Sequence, residues 1–202
     1  SKNLAVMSRQ THAADGHPMT REELLALKNK RTLVTVFQIS WIMVFVCLVV
    51  VCLHIRGNLA TALPELTPVQ FAIPLLATLA IIASGFTAGR AMGAIRKDDR
   101  AAFLSMWQLT IVLGGAFLAV MIAIFFYNPY LETGLYGQIF RVMIGYHAVH
   151  AVAIGWWLIQ VFMNARHGAY SAENYWGVEA GARLWYFVIV AWVLFYIVLY
   201  LI

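Results

Sequence analysis

Charge is what this 202-residue chain has least of: 11% of its residues are charged, with nine Asp and Glu against fourteen Lys and Arg. A soluble domain carries about a quarter charged residues, so that class is excluded. There are two cysteines, Cys47 and Cys52, both inside one apolar run. That placement suits small packing residues and argues against a disulfide framework. Strand-like alternation and internal repeats are also missing. What fills the chain instead is apolar side chains, at 62% of the residues and a mean hydropathy of +0.78. The composition is that of an integral membrane protein. The formal charge of +5 raises the question of nucleic acid. The basic residues, however, sit beside hydrophobic runs and form no stripe with interleaved aromatics, so topology explains them and no nucleic-acid partner is expected.

A spanning helix needs roughly 20 mostly apolar residues. Marking every charged residue leaves five uncharged windows, 32–55, 66–89, 101–131, 142–165 and 184–202. The third outruns a single span, and Asn128-Pro129 is expected to end its helix. The fourth helix is expected to start near Gly137, placing Arg141 about a turn inside the outer interface, where it snorkels or pairs. Pro74 falls one or two turns into the second helix, where neighbours can absorb the lost hydrogen bond. The fold class is an all-α bundle of five transmembrane helices, with spans at about 32–55, 67–92, 101–127, 138–165 and 182–202. Twelve Lys and Arg fall on the side of the N-terminus and two, Arg56 and Arg141, on the other. The positive-inside rule then puts the N-terminus in the cytoplasm and the C-terminus outside. The first 30 residues show no apolar core of a cleavable signal. Residues 1–31 read as a cytoplasmic tail ahead of a membrane domain at 32–202. Thr20-Arg-Glu-Glu23 has capping-box spacing and predicts a short amphipathic helix, with Lys28-Asn-Lys30-Arg31 against anionic headgroups.

None of the five windows contains Asp or Glu. Proton relays and carboxylate-driven transporters need such groups, so a permease or pump is disfavoured. The ionisable side chains inside the windows include His147 and His150, three apart on one face of span 4. They suit haem ligation in a b-type cytochrome anchor or, more ordinarily, interhelical hydrogen bonds. His54 is the other membrane histidine, and its depth matches His147 poorly. No Cys or carboxylate stands nearby to complete a zinc site. Gly85, Gly89 and Gly93 repeat every four residues with Ser84 and Ala88 alongside, a pattern for close helix packing. Gly114-Gly115 and Gly145 suit the same role. Tyr127, Tyr130 and Tyr136 at the outer side, and Tyr170, Tyr175, Trp176 and Trp185 at the inner, suit interfacial belts. Glu179 and Arg183 have the spacing of an i,i+4 surface pair.

Two stretches carry a resemblance. One is Tyr136-Gly137-Gln138-Ile139-Phe140 followed by Gly145-Tyr146-His147-Ala148-Val149-His150. The other is Trp176-Gly177-Val178-Glu179 leading into Trp185-Tyr186-Phe187-Val188 and Trp192. Together with Leu109-Thr110-Ile111 and Gly114 to Phe117 in span 3, and Ser84-Gly85 and Thr87 in span 2, they resemble subunit III of haem-copper respiratory oxidases, in its short five-helix bacterial form. The chain departs from that pattern at several places. Trp41 stands where a membrane glutamate is usual, Tyr186 and Ile189 replace a His and an Asp, and Met121 and Ile124 replace a Gln and a Glu.

The resemblance implies an accessory subunit, non-catalytic by itself, with no cofactor of its own. It would sit in the bacterial cytoplasmic membrane beside the large catalytic subunit, whose haems and copper reduce oxygen to water, and beside other oxidase subunits and phospholipids. It further implies that His147, His150 and Glu179 make structural hydrogen bonds and that Arg166 and Arg56 contact lipid. An accessory subunit of a nitric oxide reductase complex is the alternative.

Overall fold

The computed structural model describes residues 20–60, 62–127 and 129–202. Five helices make up the described fold: α1 (Arg21–Gly57), α2 (Pro68–Ile95), α3 (Arg100–Phe126), α4 (Leu135–Arg166) and α5 (Trp176–Tyr196), the last continuing into a π-helical turn at Ile197–Leu201. All five are long and apolar enough to cross a membrane, and no strand occurs among the described residues.

Local chemistry sets most of the boundaries. Thr20 accepts from Glu23 N while the Glu23 carboxylate accepts from Thr20 N at 2.7 Å, a complete capping box at the position expected. The helix that starts there does not stop short of the membrane. No Gly or Pro occurs between Arg21 and Arg56, nothing breaks the backbone ladder, and the predicted short helix and the first span are one element of 37 residues. Thr67 and Gln70 repeat the capping box for α2, with Pro68 in the first turn, where its missing N–H costs nothing. Pro74 lies inside α2 without ending it, and its carbonyl accepts from the Thr78 hydroxyl at 2.7 Å. Asp99 caps α3 through Ala102 N at 3.0 Å. The expected stop at Asn128-Pro129 lies just beyond the observed end of α3 at Phe126, and Asn128 falls outside the described residues. The fourth helix starts two residues earlier than Gly137, after Gly134 at φ 60°.

In packing terms α2, α3, α4 and α5 form a closed ring of neighbours, and α1 lies outside it against α4 and α5. The core is filled by large side chains such as Trp107, Phe103, Phe117, Phe140, Trp192 and Phe195, all fully buried. α1 contributes only Phe45 and Cys52 to it, while Cys47 is exposed. The connection between α2 and α3 is tied to that between α4 and α5. Asp98, at φ 60°, accepts from Ala172 N at 3.3 Å. Arg96 lies over the Tyr175 ring, and Arg100 donates to the last carbonyl of α4 at Arg166, 2.7 Å away. Near the start of α4, Arg141 lies 4.9 Å from the centre of the Phe125 ring, a cation–π contact.

Close approach at one glycine is absolute. A Cβ on Gly137 would run into the carbonyl of Tyr130, which is backbone and cannot move aside. Gly115, by contrast, has open space beside it. Gly137→Ala should therefore destabilise by about 1–3 kcal/mol, and Gly115→Ala should be neutral or stabilising by up to about 1 kcal/mol. Thermal unfolding of both variants in mild detergent checks the contrast, and equal effects would contradict it.

Candidate functional site

The polar side chains inside the membrane domain are concentrated where α2, α4 and α5 meet. Trp185 and Trp192, seven residues apart and so on one face of α5, point their indoles at α2. Trp185 donates to the Ser84 hydroxyl and Trp192 to the Thr78 hydroxyl, each at 2.9 Å. Both hydroxyls donate back to α2 carbonyls, Ser84 to Ile81 and Thr78 to Pro74. The Tyr186 hydroxyl donates to the Gly85 carbonyl at 3.0 Å. Toward α3, the Thr87 and Thr110 hydroxyls lie 2.7 Å apart, and across the ring Trp107 donates to the Leu158 carbonyl of α4 at 2.9 Å. These three indoles and five hydroxyls thus find partners where lipid offers none.

The histidine pair separates. Residues three apart on a helix point about 60° apart, and here the two rings share Phe45 but differ in their hydrogen-bond partners and their other neighbours. His147 faces the ring's interior and is fully buried. Its Nε2–H donates to the Val188 carbonyl of α5 at 2.9 Å, and Phe45, Phe117, Trp192 and Phe195 surround it. Nδ1 has no hydrogen-bond partner among the described residues. His150 faces α1: its Nδ1–H donates to Tyr146 O of its own helix at 2.7 Å, and its ring stands edge-on to Trp41 at 4.4 Å. His54 is exposed in the last turn of α1. The two rings therefore do not converge on a shared point, and His147 Nε2 is already committed to a carbonyl. No group of three or more His, Cys, Asp or Glu that could hold a metal occurs among the described residues.

The remaining predicted residues are dispersed. Glu179 accepts from Arg31 of α1 at 2.9 Å, with both side chains about a third exposed. This long-range pair was not foreseen, because sequence spacing points only to the nearby Arg183. Arg56 donates to the Tyr136 hydroxyl at 3.2 Å and lies over the same ring. Tyr130, in the connection between α3 and α4, has its phenol pushed up by burial, with Arg56 acting in the opposite direction. Arg166 is exposed at the C-terminal end of α4. In the glycine stripe, a Cβ on Gly85 would meet Ile189 at 2.9 Å, and one on Gly89 would meet the Tyr186 hydroxyl at 2.8 Å. Gly93 has open space beside it, so within this chain the close approach of the stripe is confined to Gly85 and Gly89.

Tyr186 and Ile189, two of the positions where the resemblance expects polar groups, are thus the residues that fill the space left by α2 glycines. Met121 is fully buried and Ile124 nearly so, both in the core. Trp41 rests on His150 and Phe187. The membrane carboxylates of the pattern are replaced by packing.

Two substitutions measure this network. His147→Ala should cost about 2–4 kcal/mol, by opening a cavity and removing a buried donor. Trp192→Phe should cost about 0.5–1.5 kcal/mol, the value of one hydrogen bond with the volume largely kept. Unfolding of the variants in detergent reads both, and a His147→Ala protein as stable as the parent would refute the packing role.

A family model for cytochrome c oxidase subunit III matches residues 20–202. Among similar proteins, the cytochrome c oxidase subunit 3 of Thermostichus vulcanus is 32% identical over 169 residues, covering 82% of this chain and 84% of the relative. That of Synechocystis sp. is 30% identical over 196 residues, covering 95% and 80%. The Carassius auratus protein of the same name is 31% identical over 137 residues, covering 67% of this chain and 52% of the relative. The chain thus spans most of the cyanobacterial proteins and about half the length of the fish protein. With a family match from residue 20 to the last residue and relatives at 30% identity or more over most of its length, the chain belongs to the cytochrome c oxidase subunit III family.

Proposed function

We propose that this chain is a non-catalytic, cofactor-free accessory subunit that packs beside the large catalytic subunit of a haem-copper oxidase, in aerobic respiratory electron transport. Family membership over residues 20–202 is the observation that carries the reading. In this arrangement the haems and copper belong to partner subunits, and this chain supports the stability and proton uptake of the catalytic subunit. Its spans hold no Asp or Glu of their own, so any such support acts through packing and lipid and not through a relay inside the bundle. The similar proteins reported above carry the oxidase name, which does not favour the nitric oxide reductase alternative. The b-type anchor reading is weakened by the engagement of His147 Nε2 with a carbonyl.

The proposal extends to placement. The chain lies in the bacterial cytoplasmic membrane with its N-terminus in the cytoplasm, because the Lys and Arg excess falls on that side. His147, His150 and Glu179 serve as structural hydrogen-bonding residues. Phospholipid lies along α1 and α4, with Arg166 at the inner side and Arg56 at the outer offering contacts to headgroup phosphates. Arg56 divides its guanidinium between that role and Tyr136.

A mild-detergent pull-down of the tagged chain, with mass spectrometry of every co-purifying subunit, tests the assignment. An oxygen-reducing haem-copper subunit is expected. Recovery of the chain alone, or with a nitric oxide reductase catalytic subunit, would overturn it. The same preparation from a His147→Ala strain should keep the haem absorbance per complex of the parent, whereas a haem-anchoring role predicts its loss.

A further inference from the structure

The inner half of α1 is attached to the bundle differently from the outer half. Between Arg21 and Ser40 no residue is buried. The outer half is held by Phe45, which touches Tyr146, His150, Phe187 and Phe195 at ring-centre distances of 5.1 to 5.5 Å, and by the buried Cys52. Beside the inner half lie two cavities. One, of about 700 Å³, is bordered by Ala26, Leu27, Lys30, Trp157 and Trp176. The other, of about 370 Å³, is bordered by Phe37, Trp41, Ile154, Trp157 and Leu184. Leu33, Val34 and Trp157 border both, so the two adjoin along the α1 arm.

The same stretch carries three side-chain to backbone hydrogen bonds of the kind that bends helices. Thr32 donates to Lys28 O at 3.0 Å, Thr35 to Arg31 O at 2.9 Å and Ser40 to Val36 O at 3.2 Å. Across the cavities, the Arg31–Glu179 ion pair ties this arm to α5. It is partly exposed to solvent, and pairs of that kind are weak and easily broken.

We propose that the inner half of α1 is a hinged arm, pivoting between Val36 and Trp41 and latched to α5 by Arg31 and Glu179, whose release opens the cavities beside it laterally to the membrane. The outer half stays docked, because its aromatic cluster is buried. A bend of about 20° over the roughly 15 Å from Ser40 to Lys30 would carry Lys30 outward by about 5 Å. The proposal rests on α1 lying in a bilayer and not on the identity of the partner subunits, so it is tested apart from the oxidase assignment.

The test uses pairs of spin labels on the full chain, purified with the subunits it retains and placed in lipid nanodiscs, in a Cys47→Ser background. One pair, at Lys30→Cys and Lys97→Cys, reports the inner arm. A control pair, at Leu53→Cys and Leu135→Cys, reports the outer half. With the latch cut by Glu179→Gln or by Arg31→Gln, the inner distance distribution should broaden and lengthen by about 5 Å, the swing just derived. The outer distribution should not change. Reversing the charges together, Arg31→Glu with Glu179→Arg, should restore the narrow inner distribution. An inner distance unmoved by either single change, an outer distance that moves equally, or a reversed pair that stays broad would each overturn the hinge.

Discussion

The bundle depends on a constraint imposed by lipid: with no water at hand, hydrogen-bonding groups inside the membrane are best satisfied by partners within the protein. The contact of α5 with α2 meets that rule most fully. Two indoles reach across to two hydroxyls, and those hydroxyls return to α2 carbonyls one turn or less away. This works only because Gly85 and Gly89 let Ile189 and Tyr186 come within van der Waals reach of the α2 backbone. Small residues bring the backbones together, and proximity lets short hydroxyl side chains meet long indoles. Remove either and the other loses its purpose.

His147 extends the same rule to the α4–α5 contact. A fully buried imidazole donates to a carbonyl and is otherwise walled by aromatic rings. Such a ring behaves as a packing residue with one polar handle, in the manner of a tryptophan. His150, three residues on, turns toward α1 and meets Trp41. One short motif thus connects α4 to two different helices. That is a structural use of a histidine pair and needs no ligand. Where the resemblance expects carboxylates or a glutamine, this chain packs Trp41, Ile189, Met121 and Ile124 against neighbours. Those positions carry no charge here and serve the packing of the bundle.

Against this tightly joined ring, α1 stands apart. The ring closes through α2, α3, α4 and α5, while α1 is pinned at its outer half by Phe45 and tied at its inner half by one partly exposed ion pair. Differences in local stability of this sort place motion where buried contacts are fewest. The inner half of α1, flanked by cavities, is that place in this protein.

The number and approximate extent of the helices were written in the sequence, because a run of some 20 residues without charge has few stable forms in lipid other than a helix. The capping box at Thr20 was equally legible, being a contact between residues three apart. Family membership was readable from the motifs around His147 and Glu179. The fusion of the tail helix with the first span was less visible, since only the absence of a breaker between Arg21 and Arg56 signals it. What tertiary structure alone decided was partnership. Trp185 with Ser84 and Trp192 with Thr78 are 101 and 114 residues apart, and Arg31 with Glu179 are 148 apart. Spacing along one helix says which side chains share a face, but which helix that face meets, and at what depth, is set by how five faces of different width and smoothness close around one another.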